Sequence, residues 1–433
     1  MNQNVFQIAS PAPVDVLILS EHPIWPAQHG VGLRGYHMAL ALAGLGWSVR
    51  LSSWRTALAR EAAPPAITAM TVPWAQAGPD DQAVLARGWH GPLAALRRRL
   101  LRHQGLEPAD LAGAVPLVRM LRPRIVLGLG LHSPVVLRGL QGLPAEIRPP
   151  TIWYAADEMI LYNLSCLRHE GPARWPQRFQ ELLLHGLLER LFVPRLDGAI
   201  GVSPLDARLL VNWAGAPRSV TVRNGVDLDF FAPQAGPAEG SGPLAARSII
   251  FWGRLDFAPN ADAVLWFAHH VWPQLQRRHT DARWYILGPS AGPQVQALGQ
   301  VPGIEVVGEV ADIRPWARRA GAVVLPLRCG AGIKNKLLEA AALGRPIIAS
   351  PRAVAGLDFG QAPPPLMVCD QPPAWGTAIR RLWSDSVLAA RLAREGRQWV
   401  QRHHSWPAAA ATLQTWLQER TDAVVPGAAR RAA

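Results

Sequence analysis

The chain has 433 residues, 49% hydrophobic and 17% charged, with a formal net charge of +13. That is more chain than one ordinary core holds and too apolar for a disordered one, so two globular domains are expected. The positive excess is scattered over helices and carries no homeodomain, zinc-finger or RNA-recognition pattern, which leaves the nucleic-acid reading weak, and no such partner is expected; an anionic membrane surface accounts for it better. Cys166, Cys329 and Cys369 are odd in number and far apart, which argues against a disulfide scaffold or zinc site and fits a reducing compartment. No signal-peptide pattern opens the chain, and no uncharged apolar stretch reaches the roughly 18 residues of a spanning helix. The expectation is a cytoplasmic protein, peripheral where it meets a membrane.

Residues 14–20 form a short apolar run suited to a buried parallel strand. A loop over residues 21–32 carries Trp25, Gly30 and Gly32. A helix is then expected over 33–45, ended by Gly44 and Gly46, with a second strand over 47–54. This is the opening of a parallel α/β sheet, although its glycines do not spell the dinucleotide fingerprint. Further strands are expected at 124–129, followed by His132, at 151–154, followed by Asp157, at 198–203, which ends in a Ser-Pro helix start, and at 220–227. Residues 233–243 are rich in Pro, Gly, Ala and Ser and read as a linker. The pattern then restarts, with strands at 248–252, 284–287, 304–307, 322–327, 346–349 and 366–369. A helix is expected over 260–278, and helices fill 373–417. Glycines or cations follow successive strands, so Gly253, Arg254, Gly308 and Lys336 converge on one edge.

One stretch stands apart: Cys329-Gly330-Ala331-Gly332-Ile333-Lys334-Asn335-Lys336, running on to Glu339. Of the 44 Lys and Arg residues, only Lys334 and Lys336 are lysines. A compact ammonium suits phosphate oxygens in a tight site, and these two lysines open a helix behind a Gly-x-Gly loop. The stretch reads as a phosphate site, against the plainer reading of a solvated helix start.

Several pieces together resemble the retaining glycosyltransferases of family 4. They are Val222-Arg223-Asn224-Gly225-Val226-Asp227 with Phe230-Phe231; Phe251-Trp252-Gly253-Arg254-Leu255; Gly288 with Gly308-Glu309-Val310; and Lys336-Leu337-Leu338-Glu339 through Pro346. Gly30 through His37 and Pro259-Asn260-Ala261-Asp262 are similar to a subgroup of sugar transferases associated with bacterial exopolysaccharide and exosortase loci. The resemblance implies the α/β GT-B architecture, two Rossmann-like domains facing a central cleft. The domains fall at 1–235 (acceptor) and 246–405 (nucleotide-sugar donor), with a helix at 406–420 returning to the first domain and a flexible tail at 421–433.

It also implies transfer of a sugar, with retention, from a UDP- or GDP-sugar to a hydroxyl acceptor, a lipid-linked or growing polysaccharide. No metal or other cofactor is expected. Arg254 and Lys336 would hold the donor diphosphate, with Lys334 beside them. Gly253, Gly308, Glu309 and Val310 would line the nucleoside, and Glu339 would take ribose hydroxyls or pair with Lys336. Gly30, Gly32, Arg34, His37 and Trp25 are candidates for the acceptor side, and His132 and Asp157 for orienting the acceptor or holding a proton. The family's first Glu falls at Ala331 here, and its Lys shortly after Gly-Arg is replaced near Pro259-Asn260, which bears on the identity of the sugar. A sugar-nucleotide epimerase of the same plan and a non-catalytic sugar-nucleotide-binding homologue are the alternatives.

Overall fold

The structure, a computed structural model, describes residues 14–26, 30–55, 63–155, 159–169, 171–233, 247–361 and 363–424. The chain forms two compact units. One draws on residues 1–158, 181–222 and 409–433, the other on 159–180 and 223–408. Residues 159–180, which the sequence places with the first domain, therefore group with the second.

The first unit holds strands β1 Val16–Ser20, β2 Val49–Ser53, β3 Ile125–Leu129, β4 Thr151–Tyr154, β5 Gly198–Gly201 and β6 Ser219–Thr221. They pair in parallel in the order β2-β1-β3-β4-β5-β6. β1 and β3 read VLILS and IVLGL and are buried throughout, the pattern of strands covered on both faces. Helix Ser133–Leu140 packs so closely on β3 that a Cβ at Gly128 would stand 2.8 Å from Leu137 Cδ1 and Ser133 Cβ. Trp416, in the helix Trp406–Val424, lies against Gly198 at the start of β5.

The second unit holds β7 Ser248–Trp252, β8 Arg283–Leu287, β9 Ile304–Gly308, β10 Ala322–Leu325, β11 Ile347–Ala349 and β12 Met367–Val368. Its parallel order is β12-β11-β10-β7-β8-β9. Counted from β7, this is the Rossmann order, reversing between β7 and β10; in the first sheet the order reverses between β1 and β3. Ligands of such sheets sit outside the carboxyl ends of the strands at these reversals. Aromatic packing fills one face. Phe267 lies 4.7 Å from Trp284 and 5.6 Å from Trp375 between ring centroids, and all three are fully buried. Each buried Trp removes about 150–250 Å² from water, roughly 4–6 kcal/mol as an upper bound.

Three local expectations change. The loop carrying Gly30 and Gly32 is shorter than expected, because helix Gly30–Gly44 already begins at the first of them. First-turn N–H groups have no intrahelical acceptor, so glycines there forfeit less than in a helix interior. The helix expected over 260–278 is two, Ala258–His270 and Trp272–Arg278, since Pro273 lacks an N–H and its ring opposes the preceding turn. The last helix runs to Val424, past the expected start of the tail at 421; residues 425–433 and most of the linker lie outside the described residues. Among the described residues no helix is long and apolar enough to cross a membrane.

Candidate functional site

In the second unit the reversal between β7 and β10 brings the lysine stretch against the end of β7. β7 runs into Gly253, at φ 143°, and β8 into Gly288, at φ 142°. Gly308, at φ 80°, closes β9. The Gly253 N–H donates to the Leu287 carbonyl (3.1 Å) and the Gly288 N–H to the Gly308 carbonyl (2.7 Å), so the three glycines make one continuous step. No side chain fits at Gly288, and one at Gly253 would displace Lys336. A Cβ on Gly288 would stand 2.0 Å from the Gly253 carbonyl oxygen, and one on Gly253 would stand 2.7 Å from Lys336 Nζ. Gly308 instead faces open space. Beside it, Glu309 is exposed and Val310 half-buried.

Helix Asn335–Ala342 carries Lys336 and Glu339, both half-buried, toward this step. Lys336 Nζ donates to Asn260 Oδ1 (2.5 Å) and lies 4.4 Å over the Phe251 ring. Asn260 Nδ2 donates in turn to the Arg254 carbonyl (2.7 Å). Glu339 Oε2 accepts from the Trp252 indole N–H (2.7 Å). Lys336 and Glu339 thus bond to different partners and form no ion pair with each other. Burial pushes the Lys336 ammonium down to about 7, with Glu339 opposing and Lys334 adding to the fall. Burial also raises the Glu339 carboxyl, against the Trp252 hydrogen bond and the Lys336 charge. Each group would be more charged in water than it is here, so an arriving anion meets a lysine amine poised to take up a proton and become the ammonium.

The other two cations behave differently. Arg254 is half-exposed and grips Asp256 through two bonds, Nε to Oδ1 (3.1 Å) and Nη2 to Oδ2 (2.6 Å), and the hydrogen bond with Asp256 raises its pKa. Lys334 turns back on its own loop, donating to the carbonyls of Ala331 and Gly332. That loop is further held by Ser165, whose hydroxyl accepts from the Gly330 N–H (2.8 Å). Asn335 is steadied by Asn224, which donates to its side-chain carbonyl (3.0 Å). Asn224 belongs to the Arg223-Asn224-Gly225 signature, itself packed on Trp406 through Gly225 and on His404, whose Nδ1 bonds the Asn224 carbonyl (2.8 Å). The signature residues 223–227 therefore act as a brace for the lysine helix.

In the first unit the reversal between β1 and β3 places Glu21 beside His132. His132 Nδ1 lies 2.9 Å from both Glu21 oxygens, and its Nε2 lies 3.4 Å from Gln104 Oε1. Glu21 is buried, which would raise its carboxyl; the hydrogen bond and charge of His132, then Arg55 and His22, outweigh burial and hold it low. Arg34 is buried, its guanidinium 5.3 Å from the Tyr154 ring centroid, and burial raises the Tyr154 phenol to about 12 against the Arg34 charge. Gly30 is exposed and Gly32 half-buried in the first helical turn. Trp25 lies tilted against Tyr36, 5.3 Å between centroids, and Tyr36 meets His37 edge-on at 4.9 Å. Trp25 also lines a cavity of about 250 Å³ with Ile24, Ile67, Val72 and Trp74. Asp157 lies outside the described residues.

The sequence reading assigned roles to His132, Lys336 and Glu339 but none to their partners; Asn260 and Trp252 stood only within resemblance motifs, and Glu21 only within the first loop. Only the glutamate's place just after a strand would have pointed to it. No group of three or more His, Cys, Asp or Glu gathers as a metal set among the described residues.

Residues 246–385 match the family described as Glycosyl transferases group 1. No curated protein matches the chain in sequence. Among solved structures, the chain resembles the sucrose-phosphate synthase of Thermosynechococcus elongatus, with TM-score 0.65 and 17% identity over 94% of this chain and 100% of that one. It resembles HepE of Anabaena, solved with UDP and glucose, with TM-score 0.59 and 12% identity over 94% and 99%. A third likeness is to WaaG, a glycosyltransferase involved in lipopolysaccharide biosynthesis, with TM-score 0.57 and 13% identity over 95% and 100%. At these identities the structures speak for the fold, and the family match speaks for the stretch that holds the glycine step and Lys336. The chain is a two-domain protein of the GT-B fold whose residues 246–385 match the group 1 glycosyl transferase family.

Proposed function

We propose that the protein transfers a sugar from a nucleotide-sugar, a UDP- or GDP-sugar, to a hydroxyl acceptor with retention, as in family 4. The observation that carries this reading is the bare step of Gly253, Gly288 and Gly308 beside Lys336. It offers backbone and one poised ammonium to a diphosphate, with Glu339 one turn along to accept ribose hydroxyls. UDP is the favoured base, since HepE is a fold neighbour solved with UDP and with UDP-glucose.

Arg254 joins the diphosphate by exchanging Asp256 for phosphate oxygens, a swap its exposure permits. Lys334 acts through the loop, holding the carbonyls of Ala331 and Gly332 so that the neighbouring N–H groups face the ligand. In the first domain Glu21 keeps the His132 ring oriented toward the acceptor hydroxyl. The leaving phosphate oxygen takes the acceptor proton, so the chemistry needs neither a metal nor a strong protein base. With Ala331 where family members carry Glu, this chain relies on fewer contacts to the sugar itself. The acceptor is a lipid-linked or growing polysaccharide of the cell surface, of exopolysaccharide type, reached by a cytoplasmic protein whose +13 charge draws it to an anionic membrane.

The test is a panel of UDP- and GDP-sugars incubated with membrane extract, reading nucleoside diphosphate release. Release that depends on both donor and extract, and falls at least tenfold in Lys336→Ala, is expected. Binding of no nucleotide-sugar, or binding untouched by Lys336→Ala, sinks the proposal. Release of an altered free sugar nucleotide without extract assigns an epimerase instead.

A further inference from the structure

A second cavity, of about 730 Å³, opens in the second unit at the carboxyl ends of β10, β11 and β12, on the side of β10 away from β7. Arg168, Arg328, Arg352, His169, His270 and Trp266 face it. Arg328 is committed to Asp262, which takes its Nε (2.9 Å) and Nη2. Arg168 and Arg352 make no hydrogen bond or ion pair among the described residues, and Arg168 is exposed. The carboxylate in the lining, Asp370, accepts from Gln371 (3.3 Å). Among the described residues, therefore, two guanidiniums line the cavity without a bonded counter-charge, and Asp370 is the carboxylate that shares the lining with them. The field they make is felt at His169, whose pKa is lowered by burial first and then by Arg328, Arg352 and Arg168, with Asp262 opposing. One wall is aromatic: Trp266 is half-buried, stacked at 5.6 Å on His270 and backed edge-on by the buried Trp375.

Cations without partners among the described residues, beside an aromatic wall, match a ligand with a negative group and a ring. The volume lies in the range of small-molecule sites and exceeds what a bare anion fills. We propose that this cavity binds a sugar-borne anion, with its phosphate or carboxylate on Arg168 and Arg352 and its ring against Trp266. Planar guanidiniums suit either group, since both offer paired oxygens to the fork. The site is separate from the glycine step and Lys336, and its existence does not depend on donor chemistry there.

Isothermal titration of the full chain with glucose 1-phosphate, glucuronate, inorganic phosphate and glucose tests this. At least one charged sugar is expected to bind tenfold or more tighter than glucose and than inorganic phosphate. Preference for glucose 1-phosphate assigns a phosphate source, preference for glucuronate an acidic glycan, and equal binding of these two, both tighter than inorganic phosphate, a site that takes either anion on a sugar ring; each supports the proposal. Arg168→Gln with Arg352→Gln, both surface changes whose fold is checked by thermal melting, should weaken binding at least tenfold, and Trp266→Ala should weaken the charged sugar but not phosphate. Binding should persist in Lys336→Ala. The proposal is overturned if glucose binds equally, if inorganic phosphate binds as tightly as the charged sugars, if the double variant binds normally, or if Lys336→Ala abolishes binding, which would put the ligand at the donor-type site instead.

Discussion

Lys336 offers the sharpest test, because its depressed ammonium ties ligand affinity to pH. In the free protein it titrates at about 7, against an ordinary 10.5, chiefly because burial disfavours its charged form. A diphosphate supplies the missing counter-charge and returns the pKa toward its ordinary value. The sign follows directly. Binding takes up a proton wherever the free amine is neutral, so affinity falls as pH rises above 7. With full restoration to 10.5, UDP affinity drops about 50-fold from about pH 7 to about pH 9, and about 0.9 proton is taken up per UDP at about pH 8. The last proton of a terminal phosphate leaves near about pH 6, below this window. Titration calorimetry in two buffers of different ionisation enthalpy reads both quantities. With that full restoration Lys336→Ala should bind more weakly at about pH 7 by roughly 4 kcal/mol, the worth of the restored charge, and show no fall above it. A wild-type affinity that changes less than about threefold over the window, with no proton uptake, would refute the reasoning.

Other consequences are as concrete. Trp252→Phe removes the donor to Glu339 and should weaken UDP by roughly 1.5–3 kcal/mol, read by calorimetry, while the melting temperature moves little. Gly288→Ala sets a Cβ 2.0 Å from the Gly253 carbonyl oxygen at φ 142° and should cost more than about 3 kcal/mol in denaturant melts. Gly308→Ala, at φ 80° with open space beside it, should cost only about 1–2 kcal/mol. Glu21 is held below its ordinary 4.5, so the stability it lends is complete above that value and is lost as pH falls below it; Glu21→Gln should flatten the decline of the melting temperature in acid.

The twelve strands and the restart at Ser248 were legible because buried parallel strands are continuous apolar runs, and the glycines after β7, β8 and β9 mark strand ends by composition alone. The placing of Lys336 and Glu339 on one helix followed from spacing. Their partners did not. Asn260 is 76 residues from Lys336, and Trp252 is 87 from Glu339. Glu21 is 111 from His132, and Ser165 is 165 from Gly330. Such pairs arise from strand order, which no local pattern encodes. The register with Glu339 already set Lys336 apart from Lys334, but not what each bonds: Lys334 spends its ammonium on carbonyls two and three residues back, and Lys336 crosses to another element. The early start of helix Gly30–Gly44 was missed for the opposite reason, since local glycine preference argued for a loop where tertiary packing made a helix.

The confinement of lysine to two adjacent sites has a practical outcome. In a chain where 42 of 44 cationic side chains are arginine, amine-directed chemistry becomes regioselective without engineering. Reductive methylation with labelled formaldehyde places isotope on Lys334 and Lys336 and otherwise only on a free terminal amine. Their methyl resonances would then report the lysine loop directly in a protein of 47.0 kDa, where conventional backbone spectra crowd.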